Sequence, residues 1–468
     1  MDLDWRLRFK NAYGVSTFDR LGIASHIKDF GGFYMVILSW PLLGLFLPSI
    51  AVVAWVLISF FLILKRADYT KILLALVFTL LFSDSYLKPF EFAATAKIGM
   101  VVILLVYILT NFKDFKGFDN KVFVNFLPFL AFAVLASTWS LNPFTAIQKS
   151  LSYGIVFFVI PILFQRSKAE NEFFTRDIIS AYGVFLFAGI LLWIINPEAG
   201  TLAGRFRGLM GNPNGLGTLI TVLTLLVFIL HQQKAWKTPI DNQTWAFFLS
   251  MTAMSLFLCG SRTALFAIIL FFVFTRLRFL TNFGTLVLFV IILLSYNYIL
   301  TNLPLIVTAL GLEEYLRLDT LEEGSGRFIA WNFAWEQIQN QYFLGGGFGF
   351  TEYIFKEYYH YLIQLGHQGN AHNSYFTMWL DTGLIGIILF LVGIVRTIFT
   401  AIKKSVFTLP VFYAVLFSAN FESWLAASLN PFTSVFLITL TLMSNPELGV
   451  GEIAAPMDEP DEQELSLT

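Results

Sequence analysis

Two arginines occur in a segment rich in glycine and asparagine, Gly204–Asn214 (GRFRGLMGNPN), which directly precedes an apolar stretch. Asn212 can cap the helix that follows, and Pro213 suits its first turn. Guanidinium groups and the N–H groups of a helix start both attract anions. Arg205 and Arg207 therefore predict a phosphate site. The alternative is a turn of Gly, Pro and Asn that carries two interfacial arginines.

A third arginine, Arg262, lies in a short polar break, Gly260-Ser261-Arg262-Thr263, between two apolar runs. At a membrane border such an arginine can extend its head group into water at little cost, whereas the bilayer centre would cost about 3 kcal/mol or more. Arg262 is a second candidate for binding an anion. A tight turn with an arginine that merely reaches the interface explains the same residues.

A long polar segment, 312–372, carries further candidates. Ser325-Gly326-Arg327 precedes a helical pattern of apolar residues, and Gly345–Gly349 predicts a flexible turn. The aromatic stretch that follows, Tyr353–Tyr361, has helical spacing that is typical of packing. Aromatic rings also suit the C–H faces of sugars, so a role in binding a glycan acceptor stays open.

His372-Asn373 stands where this segment gives way to the next apolar run, and Gly383-Leu-Ile-Gly386 follows within that run. A histidine in a water-filled opening titrates near neutrality and can take a proton from a hydroxyl group. The alternative is a histidine that only hydrogen-bonds the start of a helix. We interpret His360 and His367 as ordinary loop residues.

Composition indicates what must position these side chains. The 468 residues are 57% hydrophobic and 13% charged, with a mean hydropathy of +0.71. Soluble proteins carry about 25% charged residues, and several apolar runs here reach the ~18 residues that mark a membrane-spanning helix. Inside lipid the backbone must satisfy its own hydrogen bonds, so these runs predict helices.

Several functional classes lack support in the sequence. The net charge of −1 gives no overall field for binding nucleic acid. A single cysteine, Cys259, and five scattered histidines form no metal-binding motif. We found no motif for a nucleotide or another cofactor and predict that none is needed.

The apolar segments predict an all-α polytopic membrane protein with about 12–14 transmembrane helices and one long periplasmic loop that contains short helices. Lys and Arg concentrate in alternate connections, which places both chain ends in the cytoplasm. The arginine motifs and the long loop then lie on the opposite side. The fourteen segments are 33–48, 49–64, 71–84, 97–112, 122–139, 147–165, 178–196, 213–231, 244–260, 263–276, 280–300, 374–396, 408–424 and 428–445.

These segments divide the chain into five regions. The predicted regions are a cytoplasmic or interfacial N-terminus (1–30), transmembrane helices (31–311), the long periplasmic loop (312–372), C-terminal transmembrane helices (373–445) and a cytoplasmic tail (446–468). The tail is acidic without balancing basic residues, which predicts disorder.

The motifs together resemble the bacterial O-antigen ligase and polysaccharide polymerase superfamily of membrane glycosyltransferases. The family pattern is His-(Asn/Ser/Gln), nine residues, Gly-x-x-Gly, and here it reads His372-Asn373, 374–382, Gly383-Leu-Ile-Gly386. The segments around Arg205, Arg262 and Arg327, and Trp139–Pro143 before them, resemble family motifs in the expected order. The resemblance covers about 135–400.

The resemblance implies a glycan donor linked to undecaprenyl diphosphate, used on the periplasmic side of the bacterial inner membrane. Arg205, Arg207, Arg262 and Arg327 would bind the diphosphate, with Arg205 also acting in catalysis. His372 would orient or deprotonate the acceptor hydroxyl. Asn214 and Asn373 would support the site. Which of Arg205 and Arg207 contacts phosphate is left open.

The acceptor that the resemblance implies is lipid A core for a ligase or another carrier-linked glycan for a polymerase, and the motifs are shared by both. Membrane lipids are the remaining expected partners. The alternative from a different class is a transporter or flippase for the same lipid-linked oligosaccharides. Transporters usually carry paired repeats and broken helices near the midplane, and no convincing internal repeat is evident here.

Overall fold

The computed structural model describes residues 23–64, 69–115, 118–171, 174–232, 239–277, 279–295, 327–367 and 369–445. The proposed interfacial segment before residue 23, the start of the long loop including Ser325 and Gly326, and the acidic tail 446–468 lie outside the described residues. The first described helix begins at Ile23, inside the region that we assigned to the N-terminus.

The described chain is built from α-helices joined by short turns. Single 3₁₀ turns at Lys88–Phe90, Phe112–Phe115, Ala136–Trp139 and Trp424–Ala426 connect some of them. The helices are α1 Ile23–Phe46, α2 Pro48–Leu64, α3 Tyr69–Ser83, α4 Phe92–Thr110, α5 Lys121–Leu135, α6 Pro143–Glu170, α7 Phe174–Ile195, α8 Pro197–Gly200, α9 Pro213–Gln232, α10 Pro239–Cys259, α11 Arg262–Arg276, α12 Asn282–Ser295, α13 Arg327–Asn340, α14 Phe350–Glu357, α15 Tyr359–Gln364, α16 Ser374–Ala401, α17 Thr408–Phe421 and α18 Pro431–Ser444.

Six segments in the described part of the chain are long and apolar enough to cross a membrane, and seven shorter apolar helices accompany them. The predicted all-α polytopic membrane fold is confirmed. The six long segments are Lys88–Thr110, Lys121–Trp139, Pro143–Glu170, Phe174–Ile195, Pro213–His231 and Ser374–Ala401.

Close packing of α16 along α5 fixes the helix that begins at His372-Asn373. A Cβ on Gly393 would lie 2.7 Å from the ring of Phe126, so only glycine allows this approach. Asn125 on α5 also donates a hydrogen bond to Thr397 on α16, at 3.1 Å. Small residues and interhelical hydrogen bonds are the usual means of joining helices in lipid, where apolar surface alone gives little preference for protein over lipid.

A kink at Gly383 divides α16. Its φ of +66° and ψ of −174° interrupt the helix. A side chain would not fit there, because a Cβ would lie 2.3 Å from the carbonyl group of Phe343. Gly386 makes room in turn for the side chain of Thr382, which a Cβ would approach to 2.1 Å. Of the two glycines of the His-Asn pattern, Gly383 is therefore required by backbone geometry and Gly386 by the side chain of Thr382.

The glycine turn 345–349 fills the gap that the kink opens. The amides of Gly346 and Gly347 donate to the carbonyls of Leu380 and Asp381, each at 2.9 Å. A continuous helix would have used those carbonyls itself. The two amides just after the kink donate instead to carbonyls just before the turn. The long loop and α16 thus complete each other's backbone hydrogen bonds.

Side chains from two helices also hold this turn. The carboxylate of Asp381 accepts from the amides of Gly349 (2.9 Å) and Thr351 (2.8 Å). The indole of Trp139, before α6, donates to the carbonyl of Gly345 at 3.1 Å. The predicted turn is therefore confirmed and is held by hydrogen bonds, to which the Trp139–Pro143 motif contributes through Trp139.

The described part of the long loop has a small apolar core of its own. It joins α13, α14 and α15 to Leu380 of α16. The helical spacing predicted after Arg327 is confirmed by α13, which buries Phe333 and Ile338 in this core. The loop is thus a compact helical cap on one end of the bundle.

Among the described residues, a two-stranded hairpin is the only β-sheet. Strands β1 (Thr201–Leu202) and β2 (Arg205–Phe206) pair antiparallel. Ala203 and Gly204 between them both have positive φ, as tight two-residue hairpin turns require. The hairpin fixes where Arg205 emerges, and the neighbouring residue on the same strand, Phe206, is buried against Trp193.

Candidate functional site

Arg205 connects the hairpin to two helix ends. Its Nε donates to the carbonyl of Cys259, the last residue of α10, at 2.9 Å. One terminal nitrogen donates to Oδ1 of Asn214 in the first turn of α9, at 3.0 Å. The guanidinium is therefore oriented next to a helix N-terminus, which is the arrangement that favours binding an anion. The predicted supporting role of Asn214 has this geometric basis.

Arg207 has different surroundings from Arg205. Its Nε donates to the carbonyl of Ala199 at 3.2 Å, and Nη1 donates to the carbonyl of Gly211 at 3.3 Å. Both acceptors belong to the segment that leads into α9. Asn212 caps α9 as predicted, since its Oδ1 accepts from the amide of Gly215 at 2.7 Å. Arg207 thus closes the loop on which Arg205 is mounted.

Arg262 is the first residue of α11, three positions after the Cys259 carbonyl that Arg205 contacts. Ser261 caps this helix by accepting from the amide of Ala264. The turn also packs tightly on α9, because a Cβ on Gly217 would lie 2.5 Å from the side chain of Ser261. Arg205 and Arg262 are therefore held at the same end of the bundle by neighbouring turns.

Arg327, at the start of α13, binds a carboxylate that the sequence analysis did not select. Its Nη2 lies 2.8 Å from Oε1 of Glu422, and its guanidinium lies 5.8 Å from the ring centre of Phe421. Only 19% of the Arg327 side chain and 13% of the Glu422 side chain are exposed. Paired charges with this little exposure hold a fixed geometry.

His372 reaches the other oxygen of the same carboxylate. Its Nδ1 lies 3.6 Å from Oε2 of Glu422, and 30% of its side chain stays exposed. The backbone of His372 has φ of +44°, an unfavourable region for a residue with a side chain. A hydrogen bond from its amide to Oδ1 of Asn370, at 2.9 Å, supports that conformation. Such strain is often found where a side chain must be aimed.

Asn373 begins α16 and is buried. Its Oδ1 accepts from the amides of Tyr375 and Phe376, as an N-cap does. Its Nδ2 donates to the carbonyl of Asn420 at 3.0 Å. Asn373 therefore joins the start of α16 to the end of α17, next to the histidine, which gives the predicted supporting role a concrete form.

Glu422 contacts Arg327 and His372 directly, and the charge of Arg205 acts on it from farther away. We call these four side chains the Glu422 cluster: Arg205, Arg327, His372 and Glu422. Burial raises the pKa of Glu422, but the polar contact with His372 and the positive charges of Arg327, His372 and Arg205 outweigh it. The net effect holds that pKa below its ordinary value. Glu422 is therefore an anion surrounded by cationic groups.

Glu422 is the residue that sequence reasoning missed. It directly follows α17, and in the sequence it fell inside the apolar segment 408–424. The sequence did offer one indication of a functional role for Glu422, which is a carboxylate at the end of an apolar segment. Placing an unpaired charge in a membrane has a high free-energy cost, so such a residue is expected to have a partner. Its partner Arg327 is 95 positions away, so no local pattern could reveal the pair.

The aromatic stretch of the loop divides between packing and exposure. Phe355 is buried against Phe333 in the loop core. Tyr353, Tyr359 and Tyr361 on α14 and α15 are exposed. The packing interpretation holds for the phenylalanine, and the exposed tyrosines keep the sugar-binding interpretation open. His367, which we took for an ordinary loop residue, is buried with its ring 5.9 Å from that of His372.

Comparison with protein families places this geometry in context. The family described as O-antigen ligase (Wzy_C) matches residues 245–391. This match covers part of the chain and supports the resemblance to the O-antigen ligase/polymerase superfamily. No curated protein sequence matches the chain. Glycan transfer of the O-antigen ligase or polymerase type is the general activity that the match supports.

The O-antigen ligase match runs from α10 to the middle of α16 and contains Arg262, Arg327 and His372. Arg205 and Glu422 lie outside it, on opposite sides in the sequence. The Glu422 cluster is therefore completed by helices that flank the matched ligase segment. Among the described residues, no three His, Cys, Asp or Glu side chains are grouped so that they could hold a metal ion.

Proposed function

We propose that this chain transfers a glycan from undecaprenyl diphosphate to an acceptor hydroxyl on the periplasmic face of the bacterial inner membrane. The product would be part of a surface polysaccharide, either O-antigen or exopolysaccharide. The observation that carries the proposal is the Glu422 cluster, in which Arg327 and the His372 of the family pattern contact one carboxylate and the charge of Arg205 acts on it. Arg262 joins them from the neighbouring turn.

For this reaction the protein must mainly supply cationic groups that stabilise negative charge and side chains that orient the reactants. The acceptor oxygen forms a bond to the anomeric carbon of the donor glycan as the bond from that carbon to the diphosphate oxygen breaks. The acceptor proton passes to His372, and the carrier diphosphate leaves with an additional negative charge. Fixed cationic groups stabilise such developing charge and are a major source of catalysis. We therefore propose a metal-independent transferase.

The arginines divide this work in our proposal. Arg205, Arg262 and Arg327 face the diphosphate, because their turns share one end of the bundle. Arg207 supports the loop that carries Arg205 through its contacts with Ala199 and Gly211, and it does not itself contact phosphate. Asn214 orients Arg205 beside the start of α9, so Arg205 is the best placed to stabilise the negative charge that develops on the leaving group.

The orientation in the membrane follows from charge. Lys and Arg gather in the connections opposite to the cluster, which the positive-inside rule assigns to the cytoplasm. The cluster and the helical cap would then face the periplasm, where lipid-linked glycans await assembly. The acceptor is either lipid A core or a second carrier-linked glycan, and the exposed tyrosines of α14 and α15 are the surface that we assign to it.

The decisive experiment is deletion of the gene in its host, followed by complementation and separation of surface glycans on gels. Single repeats on lipid A core would identify a polymerase, whereas long chains that stay on the carrier above bare core would identify a ligase. Glycans that stay in the cytoplasmic leaflet would favour a flippase and refute the transferase. Complementation with His372→Ala or Arg205→Ala should give protein in the membrane and no mature glycan. If both variants restore normal glycan, the assigned site is wrong.

A further inference from the structure

The two nitrogens of the His372 imidazole lie in different surroundings. Nδ1 faces Oε2 of Glu422 at 3.6 Å. Nε2 faces Gly369, where an added Cβ would lie only 2.9 Å away. Gly369 has φ of +123°, a conformation that glycine adopts readily. The carboxylate therefore occupies one side of the ring, and the missing side chain keeps space beside the other nitrogen.

The orientation of the Glu422 carboxylate is set by its second contact. Oε1 accepts from Nη2 of Arg327 at 2.8 Å, and Arg327 itself lies over the ring of Phe421. Arginine can only donate hydrogen bonds. With Oε1 engaged in this way, Oε2 is left to face the histidine. The order Arg327, Glu422, His372 is thus a chain of contacts with a defined direction.

The backbone segments that carry the two residues are joined as well. Ser374 donates from Oγ to the carbonyl of Glu422 at 2.6 Å. The amide of Asn373 donates to Oγ of Ser423 at 3.0 Å, and its side chain donates to the carbonyl of Asn420. These three bonds tie the start of α16 to the end of α17. The approach of imidazole and carboxylate therefore follows from how two helices meet.

We propose that Glu422 is a positioning residue that keeps the proton of neutral His372 on Nδ1, so that Nε2 takes the proton of the acceptor hydroxyl. A neutral imidazole has one donor and one acceptor nitrogen, and a carboxylate only accepts. The nitrogen that faces Glu422 must then be the donor. The contact at 3.6 Å is within ion-pair range, and catalytic contacts of this kind commonly shorten when substrates bind.

This inference rests on the proposed function, in which the acceptor hydroxyl loses its proton as its oxygen attacks the glycan. The same geometry gives Glu422 a second effect. Once His372 has gained a proton, the adjacent carboxylate balances the new positive charge, as in other carboxylate–histidine pairs. Removing the carboxylate from such a pair lowers turnover by as much as about 10⁴-fold.

The substitution Glu422→Gln tests the assignment with little change of shape. Glutamine offers one oxygen and one NH₂ group. Because Arg327 can only donate, the amide oxygen turns toward Arg327 and the NH₂ group faces Nδ1 of His372. That nitrogen must then accept, and the proton moves to Nε2. The variant is expected to retain its fold and to present the wrong tautomer.

The tautomer is measured directly by ¹⁵N NMR of the full-length protein in detergent, with labelled histidine and at a pH where imidazole is neutral. The spectrum of His372→Gln identifies the His372 signals among the five histidines. We expect Nδ1–H in the natural protein and Nε2–H in Glu422→Gln. The matched control is Glu336→Gln, which removes an exposed carboxylate on α13, outside the helices assigned to the acceptor, and should leave the tautomer unchanged.

Function is measured in parallel by complementing the deletion strain and quantifying mature surface glycan per molecule of membrane protein. Glu422→Gln should reduce glycan at least tenfold, and Glu336→Gln should stay within twofold of the natural protein. If Glu422→Gln fails to accumulate, Gly369→Ala tests the same histidine from the other side, because its methyl group would crowd Nε2 and leave Glu422 in place.

Gly369→Ala also strains the backbone, so Gly366→Ala serves as its control. Gly366 has φ of +89°, also in the left-handed region, yet a Cβ there has its nearest neighbour at 4.0 Å. We expect loss of glycan from Gly369→Ala and its retention in Gly366→Ala. Equal losses in the two variants would mean that strain, and not the blocked nitrogen, is responsible, and would refute the assignment of Nε2.

The two measurements separate the possible failures. An unchanged tautomer in Glu422→Gln overturns the positioning role, whatever happens to the glycan. A changed tautomer with normal glycan shows that His372 is not the proton acceptor and also overturns it. Normal glycan in both His372→Ala and Arg205→Ala would refute the proposed site itself, while the NMR result would still report whether Glu422 orients the histidine.

Discussion

The backbone of Gly383 lies against that of Phe343 so closely that a Cβ on Gly383 would be 2.3 Å from the Phe343 carbonyl. Through this contact a transmembrane helix and the helical cap exchange backbone hydrogen bonds. In the sequence, Phe343 lies between Arg327 and His372, and Gly383 follows His372 on α16. The contact between Gly383 and Phe343 therefore fixes the position of the helical cap relative to α16, the helix that follows His372.

Gly383→Ala should destabilise the protein strongly. The left-handed conformation costs a residue with a side chain about 1–2 kcal/mol, and crowding of the backbone adds about 1–3 kcal/mol. We expect a lower Tm for the purified protein in detergent. Gly32→Ala is the control, since no atom lies within 4 Å of a Cβ at Gly32 on α1. An unchanged Tm for Gly383→Ala would contradict the proposed requirement for glycine.

Substitutions at Arg205 and Arg207 should have different consequences. Arg205→Lys keeps the charge but loses the fork that contacts Cys259 and Asn214 and would hold phosphate. Loss of one charge-assisted contact costs about 1.5–3 kcal/mol, so glycan per molecule should fall roughly ten- to a hundredfold while Tm changes little.

Arg207→Ala should act through stability, because the carbonyls of Ala199 and Gly211 lose their donor. We expect a lower Tm and less protein in the membrane, with a smaller loss of glycan per molecule than in Arg205→Lys. Glycan output and Tm are measured on the same preparations. The reverse ranking of the two arginines would assign the phosphate contact to Arg207.

The stability that Glu422 provides should disappear in acid. Its pKa in the folded protein lies below the ordinary value of 4.5, so the folded state favours the ionised carboxylate. That contribution is fully present above pH 4.5 and is lost as the pH falls through the lowered pKa. The difference in Tm between the natural protein and Glu422→Gln should therefore shrink below pH 4.5. A difference that is constant from pH 7 to pH 3.5 would rule out this linkage.

The contribution of Asp84 to stability should have the opposite dependence on pH. It directly follows α3, where burial raises the pKa of its carboxyl from 3.8 to about 7, against the opposing charge of Lys97. Between these two values the folded protein keeps a proton that the unfolded chain has released, so stability falls as pH rises. Asp84→Asn removes this loss of stability. As the pH rises from 4 to 7, the Tm of the variant should therefore increase relative to the Tm of the natural protein.

Glu91→Gln is the control for Asp84→Asn, because it removes an exposed carboxylate from the same connection between α3 and α4. Its Tm should follow that of the natural protein over the same range. If Asp84→Asn and Glu91→Gln show the same pH dependence, the burial of Asp84 has no part in it.

The local features of this protein were readable from the sequence. Long apolar runs predict helices because lipid offers no other partner for the backbone, and the cap of α9 followed from the residue type at its start. The pattern from His372 to Gly386, whose residues lie within about four helical turns, also carried the resemblance to a known family. Each of these features depends on neighbours in the chain.

The tertiary structure decided what those residues contact. It showed Arg205 oriented by two helix ends and Arg207 closing its own loop, although the two differ by only two positions. It also brought Glu422 to Arg327 and His372 from 95 and 50 positions away. A charge at a helix end has no local signature of its partner, because the partner is chosen by how distant helices pack. The sequence alone therefore predicted the histidine, and only the packing of α16 against α17 revealed the carboxylate beside it.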